Sequence, residues 1–361
     1  MVNKLTFLQK LSYATISIVG IISLLYFAQD IIVPIIFALL LSVLLLPLNN
    51  FLERKKVPRV LSIIISLIVS LIFISSVIYF LSYQIISFMD DIPAIKSQLK
   101  IHYHNVQNWL YVQFKVTPTK QIEMMNDASE KLKDGGKDFL GQLISNTTQS
   151  LMSIILLPIY SFLILYYRTL IRKFLIDVFD NNDEKKVNDV LAESKTIVQS
   201  YMVGLLIELA IVATINSLGF LAFGIKYAIF LGLFAAILNL IPYIGMLIAS
   251  IFCMLITLTS STNLNNVLWV AVILTVVQFI DNNFIMPKVV SSKVKINALL
   301  SIICVLIGGA IAGVSGMFLS IPLLAILKAI FDRVEHLKPW GMLLGDEITG
   351  TSKRKFIRRK K

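Results

Sequence analysis

The chain has 361 residues, of which 57% are hydrophobic and only 15% are charged. This apolar share exceeds what a soluble core of that size requires, so the composition excludes an ordinary soluble domain and predicts an integral membrane protein. The formal net charge of +12 does not indicate nucleic-acid binding, because the basic residues concentrate beside apolar runs and in the C-terminal tail.

Six apolar runs have about the length of a membrane-crossing helix. They cover residues 11–28, 31–48, 60–83, 150–167, 201–223 and 266–285. The first run follows Lys4 and Lys10 without a small-residue cleavage pattern, so we expect an uncleaved span. It meets the second run at Gln29-Asp30, which predicts a tight helical hairpin.

Two regions between these runs are more polar. We predict a small helical extracytoplasmic module over residues 84–150. Its His102 and His104 form an H-x-H pair, which without a clustered carboxylate is better explained as a solvated helix surface than as a metal site. Hydrophobic residues then recur at helical spacing among charged ones through 170–197, which predicts an amphipathic helix along the membrane surface.

Two further apolar stretches, Tyr227–Leu258 and Asn297–Leu327, are too long for one crossing. A straight helix of about 32 residues would extend about 48 Å, whereas the hydrocarbon core is about 30 Å thick. Pro242 and Gly245 interrupt the first stretch. The second is interrupted by Gly308, Gly309, Gly313, Gly316 and Pro322. Both stretches therefore predict re-entrant hairpins, and broken segments of this kind indicate a transport site.

The distribution of basic residues separates two topologies that both place the termini in the cytoplasm. Eight simple crossings would put Lys288, Lys293 and Lys295 outside, whereas hairpins that start and end on one side put them inside. We prefer the hairpin topology, which makes 201–258 and 266–327 two units of opposite orientation. The basic stretch Lys353–Lys361 is attracted to anionic lipid head groups or serves only as a disordered solubilising tail.

The predicted fold is an all-α polytopic membrane protein with about six full transmembrane helices, two broken hairpins and a small helical extramembrane module. Its predicted parts are residues 1–83 with the N-terminal spans, 84–150 with the module, 151–200 with a span and a surface helix, 201–330 with the transport half, and 331–361 with the cytoplasmic basic tail. Cys253 and Cys304 lie in apolar stretches, and we interpret both as small core residues.

Glu208 is the only acidic residue well inside an apolar run, which makes it the first candidate for the substrate or ion path. A charge at that depth is costly, so it normally faces a cavity or a partner. The alternative is a protonated Glu bonded to a neighbouring helix.

Further polar candidates crowd the end of the run 266–285, namely Gln278, Asp281, Asn282 and Asn283. Their oxygens suit a cation or a polar solute, although Asp and Asn are also common helix caps. Asn239 and Asn216 supply further oxygens, and Asn216 serves equally as a contact between helices. Gly309 and Gly313 have the spacing of a dimerisation motif, but a turn in the kinked segment is the better explanation.

Catalytic motifs are missing from the sequence: it has no GxSxG, no P-loop and no HExxH. We therefore expect no enzyme activity, no cofactor and no metal site. Transport that needs energy must then draw on an ion gradient.

Three motifs resemble the autoinducer-2 exporter family of bacterial membrane proteins. They are Ile241-Pro-Tyr-Ile-Gly245, the run from Asp281 to Lys288, and Gly308 to Gly316 followed by Ile321-Pro-Leu-Leu-Ala-Ile-Leu-Lys328. The family's motif residues map to Pro242, Gly245, Asp281, Asn282, Pro287, Gly313, Gly316 and Pro322. One departure is that many relatives have a proline near the start of the last segment, where this chain has Asn297-Ala298-Leu299.

The resemblance implies a multi-pass protein of the bacterial inner membrane that forms homo-oligomers. It implies export of a small polar solute such as the quorum-sensing signal autoinducer-2, or sodium/proton antiport. We therefore expect a secondary transporter working by alternating access, with lipids and a polar solute or monovalent cation as its partners. A membrane scaffold acting through the 84–150 module and the basic tail is the alternative of another class, and a channel is a weaker one.

Overall fold

The computed structural model describes residues 6–90, 155–178, 184–261, 263–290 and 296–345. Within these ranges the chain is helical and contains no strand, which confirms the predicted all-α polytopic fold. Most of the predicted 84–150 module, with His102 and His104, lies outside the described residues. So do Lys293, Lys295 and the basic stretch Lys353–Lys361.

Ten helices of at least seven residues follow one another in the described part of the chain. They are α1 Phe7–Phe27, α2 Gln29–Arg54, α3 Arg59–Asp90, α4 Ile155–Val178, α5 Glu184–Ala222, α6 Ala228–Asn239, α7 Gly245–Ser260, α8 Asn265–Ile280, α9 Ala298–Arg333 and α10 Lys338–Leu344. A π-helical turn, Asp281–Ile285, and a short helix, Met286–Val289, continue α8.

Six helical segments of the described residues are long and apolar enough to cross a bilayer. They are Gln29–Arg54, Arg59–Ser87, Ile155–Val178, Val187–Ala222, Asn265–Val289 and Ala298–Arg333. This set differs from the six predicted spans in one member, because the apolar part of α1 is shorter and α9 takes its place. Helix α9 is in this set by its length and composition, although it folds back on itself at Ala312 and Gly313.

The first broken stretch forms a helical hairpin of α6 and α7. Phe234 of α6 lies against Phe252 of α7, with 4.3 Å between the ring centroids. The connection passes through Pro242 and through Tyr243, which has a positive φ of 66°. Gly245 begins α7 so close to α6 that a Cβ there would lie 1.7 Å from the Leu238 carbonyl oxygen. Only glycine permits this sharp turn.

The second broken stretch is α9, which folds back at Ala312 and Gly313. Gly313 has φ 57° and ψ −141°, a conformation that is essentially restricted to glycine. The Ser320 hydroxyl then donates to the Cys304 carbonyl 2.8 Å away, across the hairpin. The Asn297 N–H donates to the Leu344 carbonyl at 2.9 Å, so the start of the hairpin lies beside the segment that follows its end. These contacts agree with the hairpin topology.

Asn297 caps the start of α9, close to where many relatives have a proline. Its backbone is extended, and its side-chain Oδ1 accepts a hydrogen bond from the Leu299 N–H at 2.9 Å. Asn is among the preferred residues at this position, because its side chain satisfies a free N–H of the first helical turn. The second hairpin therefore begins with an Asn cap.

Helix α5 lies at the centre of the packing. It contacts α6 and α8 on one side, and α2 and α9 on another. Helices α2, α3 and α4 form a separate core around Leu45, Ile63 and Leu165. Cys253 is fully buried in the core of α5 to α8, as predicted, whereas Cys304 is only half-buried.

Helices α5 and α8, with which the two predicted units begin, run in opposite directions. A Cβ on Gly204 would meet the backbone of Val289 and Val290, and one on Gly219 would meet Ile273. Since α5 ascends in number while the α8 segment descends, these helices are antiparallel. Each is followed by a hairpin, which is the arrangement expected of inverted units.

The structure differs from the sequence prediction at the surface helix over 170–197. Residues up to Val178 complete α4, and α5 begins at Glu184 and continues without a break into the predicted span. The amphipathic pattern therefore belongs to the polar ends of two long helices. An Arg333–Glu193 ion pair of 2.7 Å joins α9 to this end of α5.

The close approach inside the second hairpin generates a stability prediction. Gly316→Ala places a Cβ 1.9 Å from the Gly308 carbonyl oxygen, so we expect the two limbs to separate at a cost of about 1–3 kcal/mol. Thermal unfolding of the detergent-purified protein measures this loss. Gly20→Ala is the control, because a Cβ there has no neighbour within 4 Å. Equal unfolding temperatures for both variants would contradict the hairpin contact.

Candidate functional site

Glu208 lies inside α5 and is only 5% exposed. A carboxyl group at this position has left water, so it needs a polar partner within the protein. The partners come from two other elements, the end of α6 and the end of α8.

Asn239 is the last residue of α6, and Leu240 and Ile241 separate it from Pro242. Its side-chain Nδ2 donates to Asp281 Oδ2 at 2.9 Å and is 3.4 Å from Glu208 Oε1. One amide therefore joins two carboxyl groups that lie 73 positions apart in the sequence.

Asp281 is 2% exposed and begins the π-helical turn that follows α8. Asn282 and Asn283, the next two residues, are exposed. A π-helical turn inserts one extra residue into the helix and changes which side chains face inward, and such turns are frequent at functional sites. Here the turn accompanies a buried carboxyl group beside Asn239.

The shared Asn239 amide holds the Glu208 and Asp281 carboxyl groups beside each other. Their other oxygens, Glu208 Oε2 and Asp281 Oδ1, are buried without a hydrogen-bond partner among the described residues. The ion pairs found in that part of the chain include neither carboxylate. The arrangement thus offers unshared oxygens to a proton or a small cation.

Tyr201 is a member of this neighbourhood that the sequence prediction missed. It precedes Glu208 by seven residues, which is two helical turns, and it is 4% exposed. The seven-residue spacing is the signal that would have placed both on one face of α5.

The other predicted site residues take different places. Pro242 and Gly245 shape the first hairpin, and Gly309, Gly313 and Gly316 shape the second. Gln278 donates to Asn282 at 3.0 Å on the exposed side of the helix, away from Asp281. The structure therefore brings together the side chains of Glu208, Asn239 and Asp281, and among the described residues no side-chain hydrogen bond joins the other predicted residues to them.

The two hairpins meet one or two helical turns from Glu208. Tyr201 and Leu205 of α5 pack with Leu240 of the first hairpin and with Phe318 and Ile321 of the second. This contact agrees with the expectation that the broken segments converge beside the site.

A family model described as "AI-2E family transporter" matches residues 15–336, most of the chain. The chain belongs to the AI-2E transporter family. This confirms the resemblance found in the motifs, and it makes the protein a multi-pass membrane transporter. The matched range includes both hairpins and all three residues of the Glu208–Asn239–Asp281 site.

Curated members of the AI-2E family are similar over nearly their whole length. "Putative transport protein YrrI" of Bacillus subtilis is 26% identical over 321 residues, which are 85% of this chain and 89% of the relative. "Putative transport protein YueF" of the same bacterium is 24% identical, covering 91% and 89%. "Putative transport protein YhhT" of Escherichia coli is 24% identical, covering 91% and 92%.

The site geometry predicts a structural role for the shared amide. Asn239→Leu removes the donor and leaves both carboxyl groups without it, so we expect a loss of about 1–3 kcal/mol in the free energy of unfolding. Asn283→Leu is the matched control, because Asn283 is exposed and donates only to the Phe279 carbonyl of its own helix. Thermal unfolding in lipid-detergent micelles measures both. A larger loss in the control would contradict the assignment.

Proposed function

We propose that this transporter is a secondary transporter that couples movement of a small polar solute to a proton or monovalent cation held at the Glu208–Asn239–Asp281 site. The observation that carries the proposal is the joining of two buried carboxyl groups by one amide, without a basic partner among the described residues. Such a site changes its proton content easily when a cation or solute arrives, because the two carboxylates repel each other unless a positive charge lies between them.

The position of the site supports coupling to a conformational change. Its three residues come from α5, the broken end of α6 and the π-helical end of α8. A movement of either hairpin against α5 would alter the distances that define the site. Alternating access would then expose the carboxyl pair to one side of the membrane at a time.

The solute that we propose is a small polar molecule moved outward, with autoinducer-2 as the first candidate. Support comes from the family to which the chain belongs and from the buried polar groups of the Glu208–Asn239–Asp281 site. We place the protein in the bacterial inner membrane with both termini in the cytoplasm, on the basis of its basic residues. A homo-oligomer is expected. Family membership favours transport over the scaffold alternative.

Sodium or lithium exchange for protons is the second candidate function. The specific observation that favours it is the set of hard oxygen atoms at the site, two of which have no partner among the described residues. Carboxylate and amide oxygens suit monovalent cations, and a cation that displaces a shared proton would produce antiport.

Proton flux in everted membrane vesicles on addition of sodium or lithium tests the site. We expect Glu208→Gln and Asp281→Asn each to lower cation-triggered flux at least tenfold, because each removes one charge of the pair. Asn282→Ala is the control: it neighbours Asp281 but is exposed, so its flux should match the wild type.

The outcomes of these measurements distinguish solute export from sodium or lithium exchange for protons. Absence of cation-triggered flux in all proteins, together with outward movement of autoinducer-2 that Glu208→Gln abolishes, would favour the solute exporter. Normal cation-triggered proton flux and normal autoinducer-2 movement in both Glu208→Gln and Asp281→Asn would exclude the proposed site.

A further inference from the structure

Asn216 is a buried polar residue of α5 that the Glu208–Asn239–Asp281 site does not use. Its side chain is 0% exposed. Neither its Nδ2 nor its Oδ1 has a hydrogen-bond partner among the described residues. An amide buried in this way is unfavourable, because both ends have lost water without gaining a partner.

The surroundings of Asn216 are apolar. Val212 and Phe220, one helical turn before and after it on the same face of α5, belong to the core formed by α5 to α8. Close approaches fix the helices on both sides: a Cβ on Gly232 of α6 would meet Ser217, and one on Gly219 would meet Ile273 of α8. Asn216 is therefore held where α6 and α8 both lie against α5.

Contact between helices does not account for this residue. An Asn that joins membrane helices does so by hydrogen bonding across them, and Asn216 forms no such bond within the described part of the chain. Asn239 differs in this respect, because its side-chain nitrogen donates to Asp281 Oδ2 of another element at 2.9 Å. Asn216 instead keeps a donor and an acceptor that no described residue satisfies.

We infer that Asn216 is a second polar contact of the transport path, where its amide hydrogen bonds to a hydroxyl group. The residue lies eight positions beyond Glu208, which is about 12 Å along the helix axis. The hydroxyl belongs to the polar solute or to water that accompanies it, since both donate to Oδ1 and accept from Nδ2. The inference rests on the proposed function, because it extends the path that begins at Glu208.

Cysteine accessibility tests whether water reaches this position. Asn216→Cys and Leu218→Cys are prepared with Cys253 and Cys304 replaced by alanine, and each is treated in proteoliposomes with a small cationic methanethiosulfonate. Leu218 is 60% exposed in the structure but has no part in the path, so its thiol should face lipid and stay unreactive. We expect Asn216→Cys to react at least tenfold faster. Equal, slow reaction of both variants would overturn the inference.

Asn216→Leu provides the second measurement. Loss of one hydrogen bond to the solute should lower transport roughly tenfold, while thermal stability stays equal or rises because an unpaired amide has been removed. A merely structural residue would show the reverse, with lower stability and normal transport. The probes are sodium-triggered proton flux and autoinducer-2 movement. Normal transport in Asn216→Leu with lost transport in Glu208→Gln would overturn the inference and leave the proposed function intact.

Discussion

The close backbone contacts that fold two long apolar segments into hairpins determine where every other part of the transport half lies. Within a bilayer, broken helices are tolerated only where protein or a wet cavity satisfies their backbone. Gly245 meets the Leu238 carbonyl, and Gly308 meets Gly316, at distances that allow no side chain. Because α6 must end before the first of these turns, Asn239 stands at a helix end between α5 and α8.

The position of Asn239 determines the chemistry of the site. Two carboxyl groups from distant parts of the sequence share one amide in a region without a basic partner among the described residues. A structural polar contact would favour full pairing, as at Arg168 and Glu53, which form a 2.6 Å ion pair between α4 and α2. The incomplete pairing at Glu208 and Asp281 is instead suited to carboxyl groups that bind and release a proton or a cation.

Much of this arrangement was predictable because membrane helices are marked by length and by isolated charges. Glu208 stood out for that reason, and Pro242 with Gly245 marked the first break. Asp281 was predicted together with Gln278, Asn282 and Asn283, but its burial was not predictable, because it depends on a π-helical turn that spacing does not reveal. The sequence pattern suggested a separate surface helix over 170–197, because polar helix ends and amphipathic surface helices share the same periodicity.

The central claim is that Glu208 and Asp281 hold a proton jointly. Infrared difference spectroscopy of the protein in lipid bilayers, titrated with sodium and with pH, measures this through the stretching band of protonated carboxyl groups. The account predicts one titrating band that sodium removes and that both Glu208→Gln and Asp281→Asn alter. A spectrum without such a band, or a band unchanged in both variants, would contradict it.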